Sequence, residues 1–152
     1  MKKKFFAVVV LIVVMAACAS TGASPQFSDI TGKEWKLIEV YINGKSINFN
    51  RNALNNNGFR ELFTLSFNPE NISGVGSPNL YSALYTQEEN RTINIKLARS
   101  TLMAPLFEQD QLKEHDFFTY IQNINTWNLV NKNLELHSKT GEGAKVVMVF
   151  SL

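Results

Sequence analysis

Apolar and polar positions alternate with a period of two along most of this chain, and one stretch, around residue 117, shifts to a helical period. Glu34–Ile42 reads as a first strand, with Trp35, Leu37 and Tyr41 expected on one face and Lys36, Ile38 and Val40 on the other. Asn43-Gly44 follows, the preferred pair for a two-residue type I′ hairpin because both positions need positive φ, so Ser46–Phe49 is expected to pair back. Asn50–Gly58 has no apolar period and reads as a loop with room for one helical turn. Leu62–Phe67 sets Phe63, Leu65 and Phe67 against Leu62, Thr64 and Ser66, the pattern of a half-buried strand. Pro69-Glu70-Asn71 turns the chain into a weaker strand at Asn71–Val75 and a better one at Leu80–Thr86. After a polar turn at Gln87–Arg91, Thr92–Arg99 places Ile93, Ile95 and Leu97 inward.

Beyond Pro105 the apolar residues Leu112, Phe117, Phe118, Ile121 and Ile124 recur at helical intervals, which predicts one main helix over Gln109–Asn123. Thr126–Val130, an Asn131-Lys132-Asn133 turn, Leu134–Ser138, a Gly141-Glu142-Gly143 turn and Lys145–Ser151 then read as a three-stranded meander. The sum is an α+β domain: an antiparallel sheet of seven to eight strands, curled or closing into a partly open barrel, with one main helix.

The amino terminus obeys neither period. Lys2, Lys3 and Lys4 precede thirteen residues, Phe5–Ala17, without a polar side chain. A membrane-spanning helix needs roughly 17–25 apolar residues, so residues 1–17 read as an export signal. Met15-Ala16-Ala17-Cys18 resembles the bacterial lipobox, in which small residues precede a cysteine whose sulfur takes a diacylglyceryl group. That resemblance implies cleavage before Cys18 and anchoring of the mature chain in a membrane; an ordinary signal cut after an alanine, leaving a free thiol, is the alternative. Ala19, where enteric bacteria use an acid to retain such proteins, implies outer-membrane sorting and a periplasm-facing location. Residues 18–30, small and polar with Gly22 and Pro25, read as a flexible tether, and residues 31–152 as the domain.

Composition narrows the chemistry. Removal of the three signal lysines leaves twelve basic residues against thirteen acidic ones, so the mature chain lacks the clustered basic face that nucleic-acid binding requires. Cys18 is the single cysteine, which excludes an internal disulfide and a cysteine metal site. His115 and His137 lack a short ligand spacing, so neither a metal nor another cofactor is expected. Ser73 and Ser77 stand near no placed base, and Glu88-Glu89 and Glu108/Asp110 read as turn and helix-start acids; no catalytic residue is assigned. Asn71-Ile72-Ser73 and Asn90-Arg91-Thr92 match a glycosylation sequon that has no meaning beside a lipobox.

Several short motifs occur in a meaningful order. Gly32-Lys33-Glu34-Trp35-Lys36-Leu37, the strand Phe63–Phe67, the run Ile72-Ser73-Gly74-Val75-Gly76-Ser77-Pro78-Asn79-Leu80-Tyr81, Thr101-Leu102-Met103-Ala104, the helix and Leu134-Glu135-Leu136 together resemble the META domain of HslJ-type outer-membrane lipoproteins. The resemblance covers most of the mature chain. Relatives often carry cysteines where this chain has Pro78 and Pro105, which removes any thiol-dependent role. The resemblance implies an α+β, partly open barrel facing the periplasm, with a loose link to envelope stress and drug tolerance and no catalytic activity to carry over. Its motif residues here are Trp35, Thr101 and Met103, with Gly74, Gly76 and Asn79 as a candidate functional turn. Asn79 has two readings: a turn residue that bonds its own backbone and tolerates positive φ, or a ligand contact. Three functions follow. One is a non-catalytic envelope module that binds another envelope protein or its own kind; a second is a carrier of a small apolar ligand inside the barrel, suggested by the chain's eleven phenylalanines; a hydrolase is the third and weakest.

Overall fold

The computed structural model describes residues 24–104 and 111–152. Its strands are β1 (Trp35–Ile42), β2 (Lys45–Ser46), β3 (Thr64–Phe67), β4 (Asn71–Val75), β5 (Leu80–Gln87), β6 (Ile93–Ser100), β7 (Ile124–Val130), β8 (Asn133–Lys139) and β9 (Lys145–Ser151), with helices α1 (Arg51–Asn56) and α2 (Glu114–Gln122). They form one antiparallel sheet in the order β6-β5-β4-β3-β1-β9-β8-β7, with the two-residue β2 on β1. The outermost strands meet at one end, where Thr92 bridges Thr126 and the Trp127 N–H donates to the Arg91 carbonyl at 3.1 Å. The sheet is thus a nearly closed barrel with one unsealed seam, the α+β architecture expected; β2 takes the strands beyond the expected seven to eight.

The helix α2 packs against β6 and β8 beside this seam. Gln122 substitutes for the missing ladder there. Its side-chain oxygen accepts from the Ala98 N–H at 3.0 Å, and its amide donates to the Ile95 carbonyl at 3.5 Å. Edge groups that would otherwise be unpaired are thereby satisfied from a helix.

The expected turn chemistry is present. Asn43 and Gly44 have φ of 50° and 79°, and Asn131 and Lys132 form a second left-handed pair at 51° and 70°. Four details depart from the simple alternation. The β1–β9 register shifts between Leu37 and Glu39, so Trp35, Leu37 and then Val40 are buried, while Tyr41, expected beside Trp35, turns to the outer face. A bulge inserts one residue and reverses the parity of everything after it. Phe63 sits at φ 52°, so regular pairing begins only at Thr64, and Leu62 and Thr64, expected outside, are buried with Phe63. Of the segment expected to pair back after the hairpin, Lys45–Ser46 forms the strand, and Ile47 adds one bond to the Val40 carbonyl at 2.9 Å. Finally, α2 begins at Glu114 with Lys113 as its N-cap residue; Leu112 is buried but precedes the helix, and the expected start at Gln109 lies outside the described residues, as does the Leu97 side chain.

Packing also begins earlier than the expected tether boundary at residue 30. Phe27, in a single 3-10 turn, sets its ring 5.3 Å from Phe67, 5.6 Å from Tyr85 and 5.7 Å from Trp127, and Ile30 is fully buried. Trp35 holds that entry in place, its indole N–H donating to the Ile30 carbonyl at 2.9 Å. Phe27 partly buried and Ile30 fully buried dock the segment together, full burial of one such side chain contributing about 1.5–3 kcal/mol.

Arg51, from α1, sets the geometry around the bulge. Its guanidinium is buried and donates to three carbonyls: Leu37 at 2.6 Å, Leu62 at 2.8 Å and Phe63 at 3.1 Å. It also lies 5.5 Å from the centre of the Phe49 ring. Burial pulls the guanidinium down to about 10, so it stays charged at neutral pH. The donors of one planar fork hold the irregular backbone that leads from Leu62 into β3.

Candidate functional site

The Gly-rich run and the Thr101–Ala104 segment, distant in sequence, meet at the start of α2. The Phe63 N–H donates to the Gly76 carbonyl at 3.0 Å, which ties the loop 76–79 to the Arg51-held bulge. A cis peptide joins Ser77 to Pro78. Asn79 then turns inward and is only 4% exposed.

Its amide nitrogen donates to the Met103 carbonyl at 3.0 Å and to Glu114 Oε2 at 2.6 Å, and its amide oxygen accepts from the Thr101 hydroxyl at 2.8 Å and the Met103 N–H at 2.6 Å. Two donors and two acceptor positions exhaust what a carboxamide offers. Glu114 completes the arrangement from the first turn of α2: Oε1 accepts from the Asn79 N–H at 2.7 Å and from the Ser77 N–H. The helix's positive end favours this carboxylate. Thr101 closes the circuit, accepting from the Leu80 N–H at 3.1 Å while its own N–H donates to the Leu80 carbonyl at 3.0 Å.

The glycines serve close approach. A Cβ at Gly76 would lie 2.6 Å from Glu114 Oε1 and 2.7 Å from Phe118, and one at Gly74 would lie 2.1 Å from the Thr64 carbonyl oxygen. Neither glycine has positive φ, and neither does Asn79, which bonds two other segments rather than acting as a self-bonded turn residue. Beneath them the buried Tyr81 donates its hydroxyl to the Thr64 carbonyl at 2.9 Å; burial raises its pKa well above the ordinary value.

Gly74, Gly76, Asn79, Thr101 and Met103 thus converge, whereas Trp35 works at the chain's entry into the fold and Cys18 and Pro105 lie outside the described residues. Met103 contributes through its backbone, and its side chain is half exposed. Glu114 and Gln122 went unassigned in the sequence. Glu114 looks like any helix-start acid, and only its placement against the loop distinguishes it.

His115 is exposed at the start of α2, and His137 lies on β8, its Nε2 3.6 Å from Glu135 of the same strand. Among the described residues no group of three His, Cys, Asp or Glu comes together. Trp35, Phe63, Phe67, Phe117 and Phe150 fill the barrel interior with fully buried rings. Phe63 meets Phe117 edge-on at 5.3 Å, the geometry aromatic quadrupoles favour. A hollow of about 350 Å³ lies between β6 and α2, lined by Ala98, Arg99, His115, Phe118 and Gln122 among others.

With this geometry established, the family model for the META domain matches residues 28–150. The chain belongs to the META domain family. The match runs from the packed Phe27–Asp29 turn almost to the end of β9, so the clasp formed by Asn79, Thr101, Met103 and Glu114 lies wholly within the META domain. No curated protein matches the chain. Two solved structures share its fold. One is an NMR structure of a protein from Burkholderia xenovorans, at 12% identity and a TM-score of 0.57 over 99% of each chain. The other is a crystal structure of a DUF4847 family protein from Bacteroides vulgatus, at 14% identity and a TM-score of 0.51, covering 80% of this chain and 93% of its own. At these identities the likeness concerns fold alone.

Proposed function

We propose that this META domain protein is a non-catalytic lipoprotein of the bacterial cell envelope, held on the periplasmic side of the outer membrane by lipid on Cys18 and acting as a binding or accessory module. The observation that carries the reading is the amino terminus: three lysines, thirteen apolar residues and Met15-Ala16-Ala17-Cys18. Anchoring this way needs no membrane-spanning segment, and no helix among the described residues is long and apolar enough to cross a membrane. Two acyl chains suffice for stable attachment, at about 0.8 kcal/mol per buried CH₂.

The non-catalytic part of the reading draws on the polar cluster itself. Asn79 is saturated by its own chain and Glu114 holds backbone and amide hydrogens, so neither is poised as an acid, base or nucleophile. A role in envelope stress or drug tolerance follows from the family resemblance. Metabolic labelling with a palmitate analogue in a lipoprotein-processing bacterium tests the proposal. The wild-type chain takes the label and fractionates with outer membranes, and Cys18→Ser loses both. A wild-type chain without label, released in soluble form, contradicts it.

A further inference from the structure

One face of the domain exposes aliphatic side chains in a setting that a globule has no internal reason to keep. Leu80 is 57% exposed, Leu84 54%, Leu102 98% and Met103 52%. Leu80 and Leu84 lie on the outer face of β5, about 13 Å apart along the strand at roughly 3.3 Å per residue. Thr101, bonded to both backbone groups of Leu80, brings Leu102 and Met103 alongside. The clasp is what presents them: Asn79 grips both backbone groups of Met103 while the neighbouring side chains project outward.

Cations accompany this patch. Lys96 stands opposite Leu84 and Arg99 opposite Ser82 on the neighbouring strand, and opposed residues of a ladder share a face. Lys113 lines the same hollow as Leu102 and Met103. All three are exposed and have no ion-pair partner among the described residues, where the salt bridges are Lys36–Glu34 and His137–Glu135. Of the acids nearby, Glu88 and Glu89 lie past the end of β5, Glu34 beside Leu80 is paired with Lys36, and Glu114 beside Lys113 is held by Ser77 and Asn79. Aliphatic tips beside unpaired long-chain cations suit an anionic lipid surface, where the tips enter the acyl boundary and the cations reach the phosphates.

The position of the chain's start agrees. Eight residues separate Cys18 from Phe27, so the nine steps between them span at most about 32 Å of chain, and a domain of this size is about 35 Å across. Phe27 packs on Tyr85, whose side chain lies on the opposite face of β5 from Leu84, and the reach of the tether lets a lipid at Cys18 bring the outer face of β5 to the bilayer.

We infer that the Leu80, Leu84, Leu102, Met103 face, with Lys96, Arg99 and Lys113, docks onto the anionic bilayer and fixes the orientation of the anchored domain. This rests on the lipoprotein reading. The test uses the full lipidated chain purified from a processing host, in which Cys18 is occupied and a new cysteine is the one reactive thiol. Leu102→Cys and, as control, Glu142→Cys in the exposed β8–β9 turn each receive an environment-sensitive fluorophore. The proteins are reconstituted into 3:1 phosphatidylethanolamine:phosphatidylglycerol vesicles with brominated acyl chains. Quenching at position 102 is expected to exceed that at 142 by about threefold or more, and Lys96→Glu with Arg99→Glu is expected to cut it by about half. Equal quenching at both sites in a palmitate-labelled, vesicle-bound chain overturns the inference and leaves the anchor standing. Shielding of position 102 from both bromolipid and aqueous iodide, which a second copy or a protein partner would produce, also overturns it. A chain that takes no palmitate defeats the anchor reading first, and the docking face with it.

Discussion

The strands β1, β9, β8 and β7 are held by long ladders, from Lys36–Ser151 to Ile42–Val146 between β1 and β9 and from Leu134–Phe150 to Lys139–Lys145 between β8 and β9. On the other side of the barrel β5 and β6 share a ladder as long, from Tyr81–Ser100 to Gln87–Ile93, but β3 meets β1 only at Trp35–Leu65 and Lys36–Thr64, and around that short junction and the loops beside it side chains bonded to distant backbone supply the order. Arg51 holds three carbonyls, Asn79 and Glu114 clasp the loop 76–79 to residues 101–103, and Gln122 fills a gap at the edge of β6. A ladder spreads stability over many equivalent bonds. A clasp concentrates it in a few polar side chains, where losing one partner strands several buried groups.

The largest effect follows from removing the most connected group. Arg51→Ala leaves three carbonyls and a vacated space, and is expected to cost about 3–5 kcal/mol in urea unfolding, enough to unfold a marginal domain. A change below about 1 kcal/mol would remove Arg51 from the account.

A smaller effect has a distinctive pH signature. The folded state holds the Tyr81 proton more tightly than the unfolded chain, so this group's contribution is complete below pH 10 and falls as pH rises above it. Arg51 acts with the opposite sign. Its folded pKa is lowered to about 10, so above that pH the unfolded chain binds the extra proton; its term rises with pH there and is flat through neutrality. Tyr81→Phe is expected to cost about 1 kcal/mol at pH 7 and to flatten the alkaline loss of stability. An unchanged alkaline limb would contradict the assignment to Tyr81.

The smallest effect belongs to the laddered side. The Ser138 hydroxyl on β8 is buried with no hydrogen-bond partner among the described residues. Ser138→Ala is therefore expected to be neutral or to stabilise by up to about 1 kcal/mol. A clear destabilisation by thermal melting would show that this half, too, depends on side-chain bonds.

The same contrast governs what could be read from the residues alone. The meander is legible because Leu134, Leu136, Val146, Met148 and Phe150 alternate cleanly and their turns are short. Asn43-Gly44 announces its hairpin through the φ values it tolerates. The bulge in β1 is invisible because Ile38, Val40 and Tyr41 suit either face, so parity after Leu37 is decided by packing. The glycines and Asn79 stand out by motif, yet the self-bonded turn with positive φ that was one reading of Asn79 is not what forms, and the glycines leave room for Thr64, Phe118 and Glu114. Glu114 lies 35 residues from Asn79, and no local period relates the two. The docked Phe27 was hidden in a run whose composition is that of a linker.

Asn79 and Glu114 act as one structural unit that shapes the loop and presents the exposed face beside it. A double-mutant cycle of Asn79→Ala and Glu114→Ala, read by urea unfolding, tests this most directly. The account predicts that the second substitution costs little once the first is made, with a coupling of at least about 1 kcal/mol. Additive costs, with coupling near zero, would contradict it.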